Sequence, residues 1–113
     1  MQIYHNPRCT KSRETLALLE GANKEVEIIE YLKTPPTAKE LQAILSKLGM
    51  KAEEIVRKSE DLYKEKFKGK TLSELEWIAA LVKNPILIER PIVVRGDKAV
   101  LGRPPENVKV FLK

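Results

Sequence analysis

The one cysteine and the one histidine of this 113-residue chain both fall in the run His5-Asn6-Pro7-Arg8-Cys9-Thr10-Lys11-Ser12. Cysteine does chemistry as the thiolate, and a free thiol with a pKa of about 8.5 is only a few per cent ionised at neutral pH. Pro7 disfavours helical geometry in the residue before it, so a strand ending there and a helix beginning near Thr10 leave Cys9 at a helix N-terminus. Unpaired backbone N–H groups and the helix dipole both stabilise negative charge at that point, and Arg8 and Lys11 act in the same direction. Such surroundings lower a thiol pKa to roughly 3.5 to 7.5. A lone cysteine is commonly an inert, buried side chain; the placement of Cys9 argues instead for a nucleophile. His5 is either a hydrogen-bonded ring at a strand end or, if protonated, a positive charge that tunes the thiol. Ser12 belongs to the first helical turn, and its hydroxyl could face the same anion site.

Three arginines have constrained surroundings. Arg90 precedes proline in "ERPIVV", Arg103 precedes two prolines in "LGRPPE", and Arg57 is expected to close a short helix. Proline stiffens the backbone and fixes where its neighbour's side chain departs. Taken with Cys9, the three suggest an oxyanion site, because guanidinium forks match tetrahedral oxyanions with paired, charge-assisted hydrogen bonds.

Composition narrows the setting. Apolar residues make up 42% and charged residues 33%, without repeats or low-complexity tracts, as in a soluble globular domain; one domain over 1–113 is expected. The formal charge of +5 favours anions, but lysines are interspersed with glutamates and aromatics are few. Small oxyanions are therefore expected as partners, and nucleic acid is not. One cysteine cannot form an internal disulfide, so any redox cycle begun at Cys9 needs a second thiol from another molecule. The opening residues lack the apolar run of a signal peptide, and no segment approaches the roughly 20 apolar residues of a membrane span. A cytoplasmic location, without membrane association, is the expectation.

The elements that must position these residues follow from pattern. "QIY" (2–4) predicts a short strand, about Thr10 to Glu20 a helix with Leu16 and Leu19 inward, and "KEVEIIEYL" (24–32) a second strand. Thr37 and Glu40 form a capping box ahead of Leu41, Ile44, Leu45 and Leu48 at helical spacing. A shorter helix is expected over Ala52 to Lys58, then a less regular connection through "SEDLYKEKFKGK". Thr71 and Glu74 repeat the capping-box pattern, with Leu75, Ile78, Ala79 and Val82 on one face. "PIVVRGDKAVLG" predicts a hairpin turning at Gly96-Asp97, of type II′, and "ENVKVFL" a last short helix. The order β-α-β, helical block, β-β-α predicts an α/β fold: a four-stranded mixed sheet flanked by helices, as in thioredoxin, with an all-helical insertion at about 37–84.

In order along the chain, "IYHNPRCTKSRETLALL", "EYLKTPPT", "LVKNPILIERPIVV" and "LGRPPE" resemble the glutaredoxin-coupled arsenate reductase family, most closely its short members with a Cys-Thr/Ser-Lys-Ser opening. The resemblance implies a thioredoxin-like fold and reduction of arsenate to arsenite. In that reaction the Cys9 thiolate attacks arsenate and water leaves, glutathione attacks the arsenic, and glutaredoxin completes the reduction. It implies His5 as the tuning residue, Arg57, Arg90 and Arg103 as oxyanion ligands, and a cis Arg90-Pro91 bond. Glutathione is the implied co-substrate; no bound cofactor or metal is implied, and a monomer is expected. Where the best-characterised members place Gly-Thr after the cysteine, this chain has Thr10-Lys11. Spx regulators share the fold and bind RNA polymerase, which is the alternative reading, with thiol transfer as a third. Ser12 stands where those regulators carry their second cysteine, which excludes their internal disulfide switch.

Overall fold

A computed structural model describes residues 1–22 and 25–112. Contacts divide the chain into two compact units, Met1–Thr34 with Arg90–Lys113, and Pro35–Glu89.

The first unit carries β1 (Gln2–His5), α1 (Thr10–Gly21), β2 (Glu27–Glu30), β3 (Ile92–Arg95), β4 (Lys98–Leu101) and a closing 3-10 helix, Pro105–Phe111. The four strands lie in the order β2-β1-β3-β4. β1 runs parallel to β2, as the crossover through α1 requires, and antiparallel to β3, which pairs antiparallel with β4. Ile3 thereby stands beside both Ile28 and Val93. The expected second strand is shortened to Glu27–Glu30; Lys24, its expected start, lies outside the described residues. Gly96, first of the two residues joining β3 to β4, has φ of +61°, the region that a side chain disfavours and that this turn position needs. Ile3, Leu19, Val93, Val108 and Phe111 form the buried core, and Leu16 packs partly buried against it. The inward face of α1 also carries Ser12 and Thr15, both fully buried, which the leucine spacing did not anticipate.

The second unit contains α2 (Ala38–Leu48), a 3-10 turn (Ala52–Ile55), α3 (Asp61–Lys66), α4 (Glu74–Lys83) and a second 3-10 turn (Pro85–Leu87). The Thr37–Glu40 capping box forms as expected, and α2 stops at Gly49, whose left-handed φ of 68° suits glycine. Three expectations are corrected. The helix expected over Ala52 to Lys58 ends at Ile55, because Val56 is extended and bridges Ile88. There the Arg57 N–H donates to the Leu87 carbonyl and the Glu89 N–H to that of Ile55, so Arg57 closes no helix. The connection expected to be irregular contains α3. Finally, the second capping box is Ser73–Glu76, two residues beyond Thr71–Glu74, since the Glu74 carboxylate accepts the Ala52 N–H instead. The buried face of α4 is accordingly Trp77, Ile78 and Leu81, with Leu75 exposed and Phe67 against Trp77.

Candidate active site

The turn between β1 and α1 is held by its own backbone. The Cys9 N–H donates to the Asn6 carbonyl and the Arg8 N–H to Asn6 Oδ1, each at 3.0 Å. The Arg13 guanidinium donates to the Pro7 carbonyl at 2.9 Å and to Thr10 Oγ1 at 3.3 Å. Asn6, buried, is central to this loop and escaped the sequence reading; an asparagine ahead of proline is by itself an ordinary turn signal.

Cys9 is the N-cap residue of α1, in extended geometry and half-buried. Its neutral thiol makes no capping hydrogen bond, yet its surroundings favour the charged form. Burial pushes its pKa up, but the backbone N–H of Ser12, the Arg90 guanidinium and the backbone N–H of Lys11 outweigh burial and hold it below the ordinary thiol value. Arg103 Nη1 lies 3.7 Å from the sulfur and 3.2 Å from the Arg90 carbonyl oxygen, so Arg103 touches both the thiol and the backbone of the other arginine. Arg90 is only 7% exposed. Both arginines precede a cis peptide bond: Arg90-Pro91 as expected, and Arg103-Pro104 in addition.

His5 is the hydrogen-bonded ring at a strand end, the first of its two expected readings, whereas the Ser12 hydroxyl is placed differently from expectation. His5 Nδ1 and Ser12 Oγ lie 2.6 Å apart, both residues buried, and Ser12 Oγ also accepts the Asn6 N–H at 3.1 Å. The Ser12 hydroxyl therefore faces inward rather than toward an anion; the serine addresses the sulfur through its backbone N–H. Burial lowers the His5 pKa, Glu30 opposing and Arg13 assisting, so the ring is neutral near pH 7 and is no positive charge beside the thiol.

Arg57 lies in the Pro35–Glu89 unit, where its guanidinium is ion-paired to Glu60 and Glu89. Its Nε is 3.2 Å from Glu60 without hydrogen-bond alignment, and its Nη1 3.6 Å from Glu89. Two further residues of the site had no readable signal. Thr15 Oγ1 donates toward both the Lys11 and the Gly102 carbonyls, and Gly102, just before Arg103, has no room for a side chain. Among the described residues no three of His, Cys, Asp and Glu gather where they could hold a metal ion.

The ArsC family model matches residues 4–111. The chain belongs to the ArsC family. It is 54% identical over 110 residues to the uncharacterized protein YfgD of Escherichia coli, covering 96% of this chain and 92% of that one. It is 47% identical over 112 residues to the arsenate reductase of Haemophilus influenzae, covering 97% of each. The solved structure of an arsenate reductase from Vibrio cholerae matches with a TM-score of 0.92 and 46% identity, again over 97% of each chain. The mixed sheet with flanking helices is thus the thioredoxin-like fold of the ArsC proteins. Among the described residues no helix is long and apolar enough to cross a membrane.

Proposed function

We propose that this chain is an arsenate reductase in which Cys9 is the nucleophile and an external thiol, glutathione assisted by glutaredoxin, completes the cycle. The observation that supports it most is the sulfur held between a helix N-terminus and two guanidinium groups, with Arg103 at 3.7 Å. That arrangement suits both halves of the first step. The N–H groups and arginines keep the sulfur anionic, and the same donors, no longer needed by a neutral S–As bond, can take the oxygens of a bound tetrahedral oxyanion. The thiolate attacks arsenic(V), and one arsenate oxygen, protonated, leaves as water.

Reduction to arsenic(III) takes two electrons, equal to the oxidation of two thiols to one disulfide. With no second cysteine in the chain, both electrons come from external thiols. Glutathione attacks the arsenic of the Cys9 adduct, a glutaredoxin thiol takes that glutathione sulfur as a mixed disulfide and leaves the electron pair on arsenic(III), and water then displaces Cys9 as a thiol as arsenite departs. A monomer in the reducing cytoplasm would meet all three reactants.

The test is arsenite release by purified protein with glutathione and glutaredoxin. Turnover is expected, lost in Cys9→Ser and stopping after at most one event per chain when external thiol is omitted. Arg103→Lys keeps the charge but loses the fork, so arsenate binding is expected to weaken about tenfold. The same substitution at Arg57 tests a role that the family resemblance alone supports. Turnover no greater than in Cys9→Ser would refute the reading.

A further inference from the structure

Gly102 and Thr15 occupy a junction that the mechanism above does not use. The Gly102 N–H donates to the Pro91 carbonyl at 2.8 Å, and its own carbonyl lies 3.2 Å from Thr15 Oγ1. A Cβ at Gly102 would stand 2.7 Å from both Pro91 Cγ and Thr15 Oγ1, so the three residues are packed without slack. Pro91 follows Arg90 and Gly102 precedes Arg103, the two arginines beside the sulfur. Thr15 itself is fully buried on α1, about one and two-thirds turns beyond the N-cap Cys9.

The hydroxyl of Thr15 has a second acceptor, the Lys11 carbonyl at 2.8 Å. That carbonyl and the Ser12 N–H belong to one peptide group. A hydrogen bond accepted by the carbonyl polarises the peptide and strengthens its N–H as a donor, an effect of roughly 10–30% per bond. The Ser12 N–H is the donor that most favours charge on Cys9. One buried hydroxyl thus touches the peptide that faces the sulfur and the residue from which Arg103 departs.

We propose that Thr15 is a positioning residue for Cys9: its shared hydroxyl proton registers the first turn of α1 against the Gly102-Arg103 segment and so sets both the thiolate's backbone donor and its arginine. The proposal concerns the state of the thiol and requires no turnover, although its activity readout rests on the function proposed above.

The test is thiol titration by iodoacetamide rate against pH, on wild type and Thr15→Val, which keeps the shape and removes the hydroxyl. The Cys9 pKa is expected to rise by about 0.5 unit or more in Thr15→Val and to return close to wild type in Thr15→Ser. Circular dichroism establishes folding of each variant; should Thr15→Val not fold, Thr15→Ala is titrated in its place, with the same rise expected. Sulfate is the anion probe, and its protection of Cys9 from alkylation should weaken along with the pKa change. A folded hydroxyl-free variant whose Cys9 pKa and sulfate protection match wild type overturns the proposal. A raised pKa in a protein that reduces no arsenate would instead leave Thr15 in its role and remove the enzymatic reading.

Discussion

His5 and Cys9 share a turn and have pKa values lowered for different reasons. Burial disfavours the charged form of each. For Cys9 the surrounding donors prevail and lower the pKa by favouring the thiolate; for His5 burial prevails and lowers it by disfavouring the charged ring. The linkage to stability has the same sign in both cases. With the native His5 pKa below 6.5, an unfolded chain takes up the proton first as pH falls, so stability at pH 7 should decline toward about pH 5. Urea unfolding at several pH values measures this, with His5→Gln expected to flatten the slope in that window. Cys9→Ser separates the thiol's contribution, which is lost as pH falls from the ordinary thiol value through the lowered native one. At this scale the sequence revealed the charges but not the hydroxyls. Cys9, Arg90 and Arg103 carry their chemistry in their residue type and neighbours. Ser12 and Thr15 are short polar residues on a helix, and nothing in their spacing indicates that they face the core.

The elements show where pattern suffices and where it is ambiguous. α2 was legible from Thr37 to Gly49 because cap, periodicity and terminator agree. Ahead of α4 two overlapping boxes, Thr71–Glu74 and Ser73–Glu76, satisfy the same local rule, and the choice is made by Ala52, whose N–H takes the Glu74 carboxylate from far along the chain. Removal of the true cap, Ser73→Ala, is expected to cost about 1 kcal/mol of stability in urea unfolding. Thr71→Ala should change it by less than about 0.5 kcal/mol. Equal costs would return the box to Thr71. The short helix expected through Arg57 failed for a related reason: Ile55 and Val56 pair with the segment 87–89, and a β-branched run with a strand partner prefers extended backbone.

At the scale of the whole molecule, the four-stranded mixed sheet with its parallel pair and its antiparallel hairpin was legible from the order of elements, whereas the spatial order β2-β1-β3-β4 came from the structure. The closing 3-10 helix completes the core with Val108 and Phe111 against Ile3, Leu19 and Val93. Val108→Ala should therefore destabilise the protein by about 2–3 kcal/mol, measured by urea unfolding; a change below about 1 kcal/mol would mean that this segment does not hold the sheet unit together. The sheet unit is discontinuous, its first part ending at Thr34 and its second beginning at Arg90. During synthesis on the ribosome, Cys9 is made 81 residues before Arg90 (90 − 9), a gap of about 4 to 16 s at roughly 5–20 residues per second. Throughout that interval β1 lacks its partner β3, and the thiol lacks both guanidinium groups. The nascent chain consequently presents the cysteine with donors from α1 alone, and the complete set around the sulfur is among the last features of the protein to come into being.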